Sequence, residues 1–344
     1  MLHENDPQNP SPATAVTHLI MGFRTTQIIY AAAKLGIADL LKDGPQDASA
    51  MASVIGVHPR ALYRLLRALA SLGFFAETID GRFQLTAFAQ TLRSDVPGSL
   101  RGLVLLFGDE WLWRAYGMTL HSVTTGLPAF DLVHGQALFE YLQRHPEAAS
   151  TFDQAMTANS EQESTAVLAA YDFSDAVNLV DVGGGQGALL AAILKAYPQA
   201  YGVLFDQGSV IDRARNVMAH AGVADRCHMK PGNFFEAVPE GGDIYVLKSI
   251  LHDWDDRQSI TILKKCLEVM KRGSRLLVIE RVVPEGNEPS EAKLFDINML
   301  VVTGGLERTE REYRKIFEAA GFDLTRIIPT KAPVSIVEGI SRAV

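Results

Sequence analysis

Cysteine is scarce in this sequence, as are long hydrophobic runs and positive charge. The 344-residue chain has two cysteines, Cys227 and Cys266, which cannot build a disulfide framework and do not have zinc-site spacing. No apolar run approaches the roughly 18 residues that a membrane-spanning helix needs. The net charge of -8 argues against a polyanionic partner. These absences predict a protein of the reducing cytoplasm that binds neither nucleic acid nor a membrane.

Residues 1–98 are predicted to form a separate, mainly α-helical domain. Leucines recur at helical spacing from Leu62 to Leu72, and two short apolar runs then flank the turn Asp80-Gly81, which is typical of a hairpin. Helices followed by a hairpin describe a winged helix. Between residues 58 and 101 there are six arginines and three acidic residues. This is a mild excess of positive charge without an evident cluster, too weak for a DNA-binding surface, so we expect a dimerisation domain. A non-enzymatic winged-helix regulator that senses a small molecule is the alternative.

Residues 99–344 are predicted to form the second domain, which begins with helical segments. From Val177 onward, apolar runs that read as strands alternate with helical stretches, as in "NLVDVGGG", "AYGVLFD", "DIYVLKSI" and "SRLLVIERVV". Alternation of this kind is typical of right-handed βαβ units on a parallel sheet. The fold class is therefore α/β, with a Rossmann-like domain.

A glycine-rich turn, "LVDVGGGQG", connects the first strand of this domain to its helix. Gly183 and Gly185 let the backbone turn tightly and approach a ligand, and Asp206, at the end of the next strand, can hold a ribose. The glycines also satisfy a loose NAD pattern, and a turn without a ligand remains an alternative. Asp181 suits an ammonium group better than a pyrophosphate. This favours S-adenosylmethionine as the cofactor.

Several motifs occur in an order that resembles a known family. They are "FDQAMTANS", "LVDVGGGQG", "GNFFEAVP", "LKSILHDWDD", "IERVVPEG", "FDINML" and "GGLERTEREY". From about residue 13 onward the chain is similar to the plant caffeic-acid-type and hydroxyindole O-methyltransferases and their bacterial natural-product relatives. The resemblance implies an N-terminal dimerisation domain, a Rossmann-like methyltransferase domain and a homodimer.

The resemblance also assigns cofactor residues. It places Gly183 and its neighbours at the methionine end of the cofactor, and it adds Asn233, Phe234, Lys248 and Ser160 to the cofactor-binding set. Asn233 departs from the family, which usually has Asp there, and an amide keeps hydrogen bonds but loses the charge.

His252 is the candidate general base. It follows the apolar strand 244–247, where α/β sheets place their sites, and an imidazole can take a proton near neutral pH. The resemblance assigns the base to this histidine, flanks it with Glu280 and Glu307, and gives Asp253 a positioning role. A metal site built from the histidine and carboxylates is the alternative, although we expect no metal.

The predicted function is S-adenosylmethionine-dependent methyl transfer to a hydroxyl of a small aromatic or heteroaromatic acceptor. The resemblance gives four pocket-lining positions, Phe152, Met156, Asn298 and Met299, and ordinary core packing is equally compatible with the methionines and the phenylalanine. N- or C-methylation by the same fold is the alternative within this class of enzyme.

Overall fold

A computed structural model describes residues 11–342, except for the side chains at positions 161 and 162. Contacts within the chain define two compact units. The first holds the described residues up to Trp113 together with Ser150–Ala158, and the second holds Arg114–Ala149 and the described residues from Asn159 onward. The domain boundary between residues 98 and 99 stays a prediction.

The first unit consists of helices and one hairpin. Its elements are α1 (Pro12–Ile20), α2 (Gly22–Lys34), α3 (Ile37–Leu40), α4 (Ala48–Ile55), α5 (Pro59–Ser71), β1 (Phe75–Glu77), β2 (Phe83–Leu85), α6 (Ala87–Gln90) and α7 (Arg101–Gly108), and α8 (Glu110–Tyr116) extends from it into the second unit. His58 caps helix α5, Pro59 lies in its first turn, and the helix buries Leu62, Leu66 and Leu69. The hairpin pairs Phe75 with Leu85 and turns at Gly81, where φ is +78°. The helices and hairpin occur in the order of a winged helix, as predicted.

One feature of α5 differs from the expectation. Arg60, Arg64 and Arg67 follow one another at steps of four and three residues, and all three are exposed. They therefore share one face of the helix, which the simple count of charges did not reveal.

The second unit contains the large sheet and its helices. The elements are α9 (Thr119–Thr125), α10 (Ala129–His134), α11 (Leu138–Arg144), α12 (Pro146–Ala170), β3 (Asn178–Val182), α13 (Ala188–Ala196), β4 (Tyr201–Asp206), α14 (Gly208–His220), β5 (Cys227–Pro231), β6 (Ile244–Lys248), α15 (Asp256–Val269), β7 (Arg275–Glu280), α16 (Glu291–Val302), α17 (Glu310–Ala320), β8 (Phe322–Pro329) and β9 (Ser335–Ser341). Residues 150–158 of α12 belong to the first unit.

The sheet has the strand order β5-β4-β3-β6-β7-β9-β8. Strands β3 to β7 pair in parallel, and β9 is antiparallel to both of its neighbours. Two clusters of buried apolar side chains lie against it, one including Leu190 and Leu204 and the other including Leu263 and Phe317. The chain leaves β3 toward β4 and β5 and then returns to β6 on the other side of β3. This junction is the topological switch point, where α/β sheets bind ligands.

Side chains and a glycine fix the ends of two helices near the site. Thr309 and Glu312 form a reciprocal capping box at the start of α17, and Gly321 ends that helix with φ of +95°. Asp255 caps α15 by accepting from the backbone N–H of Gln258 at 2.7 Å.

Cys227 and Cys266 are both free and buried. In the part of the chain that the structure describes, every helix is too short or too polar to cross a membrane.

Candidate active site

The candidate residues of the second unit gather at the carboxyl edge of the sheet. The glycine turn follows β3, Asp206 ends β4, the His252 segment follows β6, and Glu280 ends β7. The parallel pairing of these strands brings their carboxyl ends to the same edge. A Cβ placed on Gly183 would lie 2.4 Å from Cδ1 of Ile250. The glycine turn and the His252 segment are thus neighbours.

The glycine turn depends on left-handed backbone conformations. Gly183, Gly185 and Gly187 have φ of +71°, +60° and +80°, which side-chain-bearing residues rarely adopt. The backbone N–H of Gly185 donates to Oδ2 of Asp206 at 2.8 Å, and the N–H of Gln207 donates to its Oδ1 at 2.7 Å. Asp206 is therefore fixed beside the turn, at the end of β4.

Asp181 lies under the same turn and is 2% exposed. Its Oδ1 is buried and accepts no hydrogen bond from the described residues. Burial raises the pKa of Asp181 to about 7, although the charge of Lys248 opposes the shift. An unpaired buried carboxylate oxygen beside the amino end of α13 fits a ligand that carries both an ammonium and a carboxylate. S-adenosylmethionine has both groups, so the residues present fit this cofactor.

Lys248 makes two close contacts. Its ammonium lies 2.6 Å from Oε2 of Glu163 and donates to Oγ of Ser160 at 3.0 Å. The side chains of Lys248 and Glu163 are 8% and 1% exposed. The structure thus brings Lys248 and Ser160 together, and it adds Glu163, which the sequence did not indicate. Glu163 compensates the charge that Lys248 would otherwise present to a ligand.

Asn233 and Phe234 follow β5. The side-chain oxygen of Asn233 accepts from the N–H of Phe235 at 3.0 Å, and its amide donates to Glu236 at 3.0 Å. The Phe234 ring has an atom 3.5 Å from a Cβ built on Gly183, so this ring lies beside the glycine turn. Both polar ends of the Asn233 side chain already have partners within its own turn.

His252 lies on a short 3₁₀ turn, Leu251–Asp253, which begins three residues after the end of β6. Oε1 of Glu280 accepts from the N–H groups of Ile250, Leu251 and His252 at 2.9, 2.6 and 3.2 Å. Its Oε2 accepts from the hydroxyl of Tyr313 at 2.6 Å. Glu280 therefore lies beside His252, where it binds the backbone of the turn and does not contact the ring.

Glu307 is the carboxylate that meets the ring. Nδ1 of His252 donates to Oε1 of Glu307 at 2.8 Å, and both side chains are almost fully buried. A carboxylate can only accept here, so Nδ1 carries the proton and the neutral ring keeps its lone pair on Nε2. Burial disfavours the charged ring, but Asp253, Glu307 and Glu280 outweigh it and raise the pKa of His252 to about 9.

Asp253 follows the histidine directly. Burial raises the pKa of its carboxyl to about 6, while the charge of His252 lowers it.

Within the described residues, no group of three or more His, Cys, Asp or Glu side chains is placed to hold a metal ion.

The predicted acceptor residues divide between the two units. Phe152 and Met156 lie on the part of α12 that belongs to the first unit, and their pocket role stays a prediction. Asn298 and Met299 lie on α16 in the second unit, where Met299 is 3% exposed. The hydroxyl of Tyr116 donates to Oδ1 of Asn298 at 2.5 Å. Burial raises the pKa of Tyr116 to about 12, so this phenol is neutral.

One aromatic side chain that lies beside His252 was not predicted from the sequence. The ring of Phe295 lies near the imidazole, with a centroid distance of 6.2 Å and an angle of 24° between the two planes. The guanidinium of Arg281 lies 4.0 Å from the centroid of Phe295. Phe295 precedes Asn298 by three residues on α16, so helical periodicity counted back from Asn298 could have pointed to it.

Comparisons with known proteins identify the family of this chain. The O-methyltransferase domain family matches residues 116–323, and the O-methyltransferase dimerisation domain matches residues 17–95. The phenazine O-methyltransferase of Lysobacter antibioticus is 44% identical over 97% of this chain and 98% of its own. The mitomycin biosynthesis 6-O-methyltransferase of Streptomyces lavendulae is 38% identical over 98% and 99%. N-methyltransferases also occur among the relatives.

A solved structure extends the agreement to the cofactor. Human N-acetylserotonin methyltransferase, crystallised in complex with S-adenosylmethionine, superposes with a TM-score of 0.90 at 27% identity, covering 98% of this chain and all of that one. The dimerisation domain confirms the predicted homodimer. The chain belongs to the O-methyltransferase family, and it is a methyltransferase that uses S-adenosylmethionine.

Proposed function

We propose that this enzyme methylates a hydroxyl of a small aromatic or heteroaromatic metabolite, with His252 as the general base. The observation that carries the proposal is the buried hydrogen bond from Nδ1 of His252 to Glu307. This bond leaves Nε2 as the basic atom at the carboxyl edge of the sheet. The ring of Phe295 beside it offers an apolar surface to a flat acceptor.

His252 would remove the proton that makes a phenol a poor nucleophile. A phenol has a pKa near 10, as tyrosine does, so at neutral pH it is almost entirely protonated. General-base assistance contributes roughly 10²–10⁴-fold. The cofactor supplies an electrophilic methyl group on a sulfonium when it is bound. Glu307 stabilises the imidazolium that forms, and Glu280 holds the turn that carries the ring.

The remaining assignments belong to the same proposal. Asp181 would pair with the cofactor's ammonium and Asp206 with its ribose, beside Gly183 and Gly185. Asn233 and Phe234 would meet the adenine. Lys248 and Ser160 would complete the methionine end, held by Glu163.

Asp253 and the pocket residues would act on the acceptor side. Asp253 carries a carboxyl beside the base, and Asn298 is already oriented by Tyr116. Met299 would supply an apolar contact to the acceptor. We further propose a domain boundary near residue 98 and a cytoplasmic location, which the two buried free cysteines support.

The test is methyl transfer from a labelled donor to a panel of phenols, with matched anilines for N-methylation. Labelled phenolic product is expected, and the His252→Ala variant should lower kcat by about 10²-fold or more with nearly unchanged cofactor affinity. His220→Ala, at an exposed histidine on α14, is the matched control. Transfer only to anilines would favour the N-methyl alternative. Near-full activity of His252→Ala on a weakly acidic phenol would refute the role of the base.

The non-enzymatic alternative has its own measurement. A DNA mobility-shift assay at physiological salt should show no specific binding, although three arginines share a face of α5. A specific shift that responds to a small molecule, without methyl transfer, would support the sensor instead.

A further inference from the structure

We infer that Arg308 is a positioning residue for the base: it holds the backbone of the His252 turn at the place where the ring meets Glu307. The inference rests on the proposed role of His252. Arg308 itself was not indicated by the sequence, apart from its position directly after Glu307.

The guanidinium of Arg308 is fully buried and binds the turn on both sides of His252. Its Nη1 donates to the carbonyl oxygen of Leu251 at 3.0 Å, and its Nη2 donates to the carbonyl oxygen of Trp254 at 2.9 Å. Nη2 also donates to Oγ of Ser259 at 3.1 Å, and Nε donates to Asp256 at 3.0 Å. One planar side chain therefore fixes the spacing between the residue before His252 and the residue after Asp253.

The backbone that precedes Arg308 also binds the His252 turn. The N–H of Leu306 donates to the carbonyl oxygen of His252 at 2.9 Å. A Cβ on Gly305 would lie 1.9 Å from that same oxygen, so the segment approaches as closely as a glycine permits. Residues 305–308 thus contact the turn through the backbone, through Glu307 on the ring and through Arg308 on the carbonyl groups.

Glu280 supplies the complementary half from β7. Its carboxylate binds N–H groups of the turn, while Arg308 binds carbonyl groups. A 3₁₀ turn of three residues has few internal hydrogen bonds, so such external partners decide its conformation. The turn is held by a negative group on its donors and a positive group on its acceptors.

For holding the turn, the fixed planar arrangement of N–H donors on the Arg308 guanidinium matters more than its positive charge. Lysine is a point charge on a flexible stem and cannot reproduce parallel donors to two separated carbonyl oxygens. Arg308→Lys should therefore keep the buried cation near Asp256 but release the turn. A misplacement of about 1 Å at a reacting group can cost as much as 10²-fold in rate.

The experiment compares Arg308→Lys with the exposed control Arg314→Lys on α17. Arg308→Lys should lower kcat by roughly 10- to 100-fold, with the dissociation constant for S-adenosylhomocysteine changed less than about threefold by calorimetry. Arg314→Lys should leave both quantities near the wild-type values. A kcat for Arg308→Lys within about twofold of wild type would overturn the inference.

A double-mutant cycle separates positioning from a general structural role. If Arg308 acts through the base, Arg308→Lys should cause no further loss of kcat in a His252→Ala background. The same fold-loss in both backgrounds would overturn the inference, whereas the His252→Ala single variant tests the proposed function independently. If Arg308→Lys does not fold, Asp256→Asn weakens the ion pair that orients the guanidinium, and its smaller loss should vanish in the same background.

Discussion

Changing Glu307 to glutamine should move the pH dependence of catalysis in a direction that the geometry fixes. The substitution keeps the size of the side chain, and it keeps an oxygen that can accept from Nδ1 of His252. In the wild type that nitrogen lies 2.8 Å from Oε1 of Glu307. It removes a buried negative charge that raises the pKa of the ring toward about 9. The His252 pKa should therefore fall toward the ordinary histidine value.

The size of the shift follows from the strength of the lost interaction. A hydrogen bond to a charged group contributes about 1.5–3 kcal/mol, and about 1.4 kcal/mol corresponds to one pKa unit. The pKa of His252 should thus drop by roughly one to two units. Asp253 and Glu280 still raise it, so the ring should remain at or above its unperturbed pKa.

The assay is kcat/KM for a weakly acidic phenol between pH 6 and 10, since this quantity reports groups of the free enzyme. In the wild type roughly one ring in a hundred is neutral at pH 7, so the rate should rise about tenfold per unit up to pH 9. In Glu307→Gln the plateau should begin about one to two units lower, and its height should be reduced because the ring is a weaker base. Glu310→Gln, at an exposed ion pair with Arg314, should leave the profile unchanged.

Two results would refute this reasoning. One is an ascending limb in Glu307→Gln that stays at the wild-type position, which would mean that the limb does not report His252. The other is a limb that moves to higher pH, which would mean that Glu307 is not ionised beside the ring. Loss of the limb in His252→Ala is the companion observation that assigns it.

Four further predictions follow from the same structure. Gly305→Ala should lower kcat at least about tenfold, because its Cβ would collide with the carbonyl oxygen of His252, whereas Gly208→Ala, with no atom closer than 3.9 Å, should be tolerated. Because the folded pKa of His252 lies above its unfolded value of 6.5, its stabilising contribution is full below that pH and disappears as pH rises through about 9. Thermal unfolding should show this loss between pH 7 and 9 in the wild type and less of it in Glu307→Gln. Asp206→Ala should weaken cofactor binding about tenfold by calorimetry, and unchanged affinity would exclude its ribose role. Sedimentation should give about twice the 37.5 kDa chain mass, and a monomer at micromolar concentration would contradict the dimer.

Local sequence determined the parts of the site that depend on neighbouring residues. The glycine turn was predictable because left-handed backbone needs glycine, and a strand-turn-helix unit places it at the edge of a parallel sheet. The position of His252 after β6 and the capping box at Thr309 follow from the same kind of short-range pattern.

Tertiary structure decided which charged group reaches which atom. Both glutamates were expected beside the histidine. Only the structure shows that Glu307, which is 55 residues from His252 along the chain, binds the ring, and that Glu280 binds backbone N–H groups. The two partners through which Arg308 holds the turn are backbone carbonyl oxygens, which every residue carries, so no sequence pattern identifies them. The pairing of Lys248 on β6 with Glu163 on α12 likewise joins residues that are 85 apart along the chain. Such contacts are set by the packing of distant elements, and the spacing of residues along the chain carries no record of them.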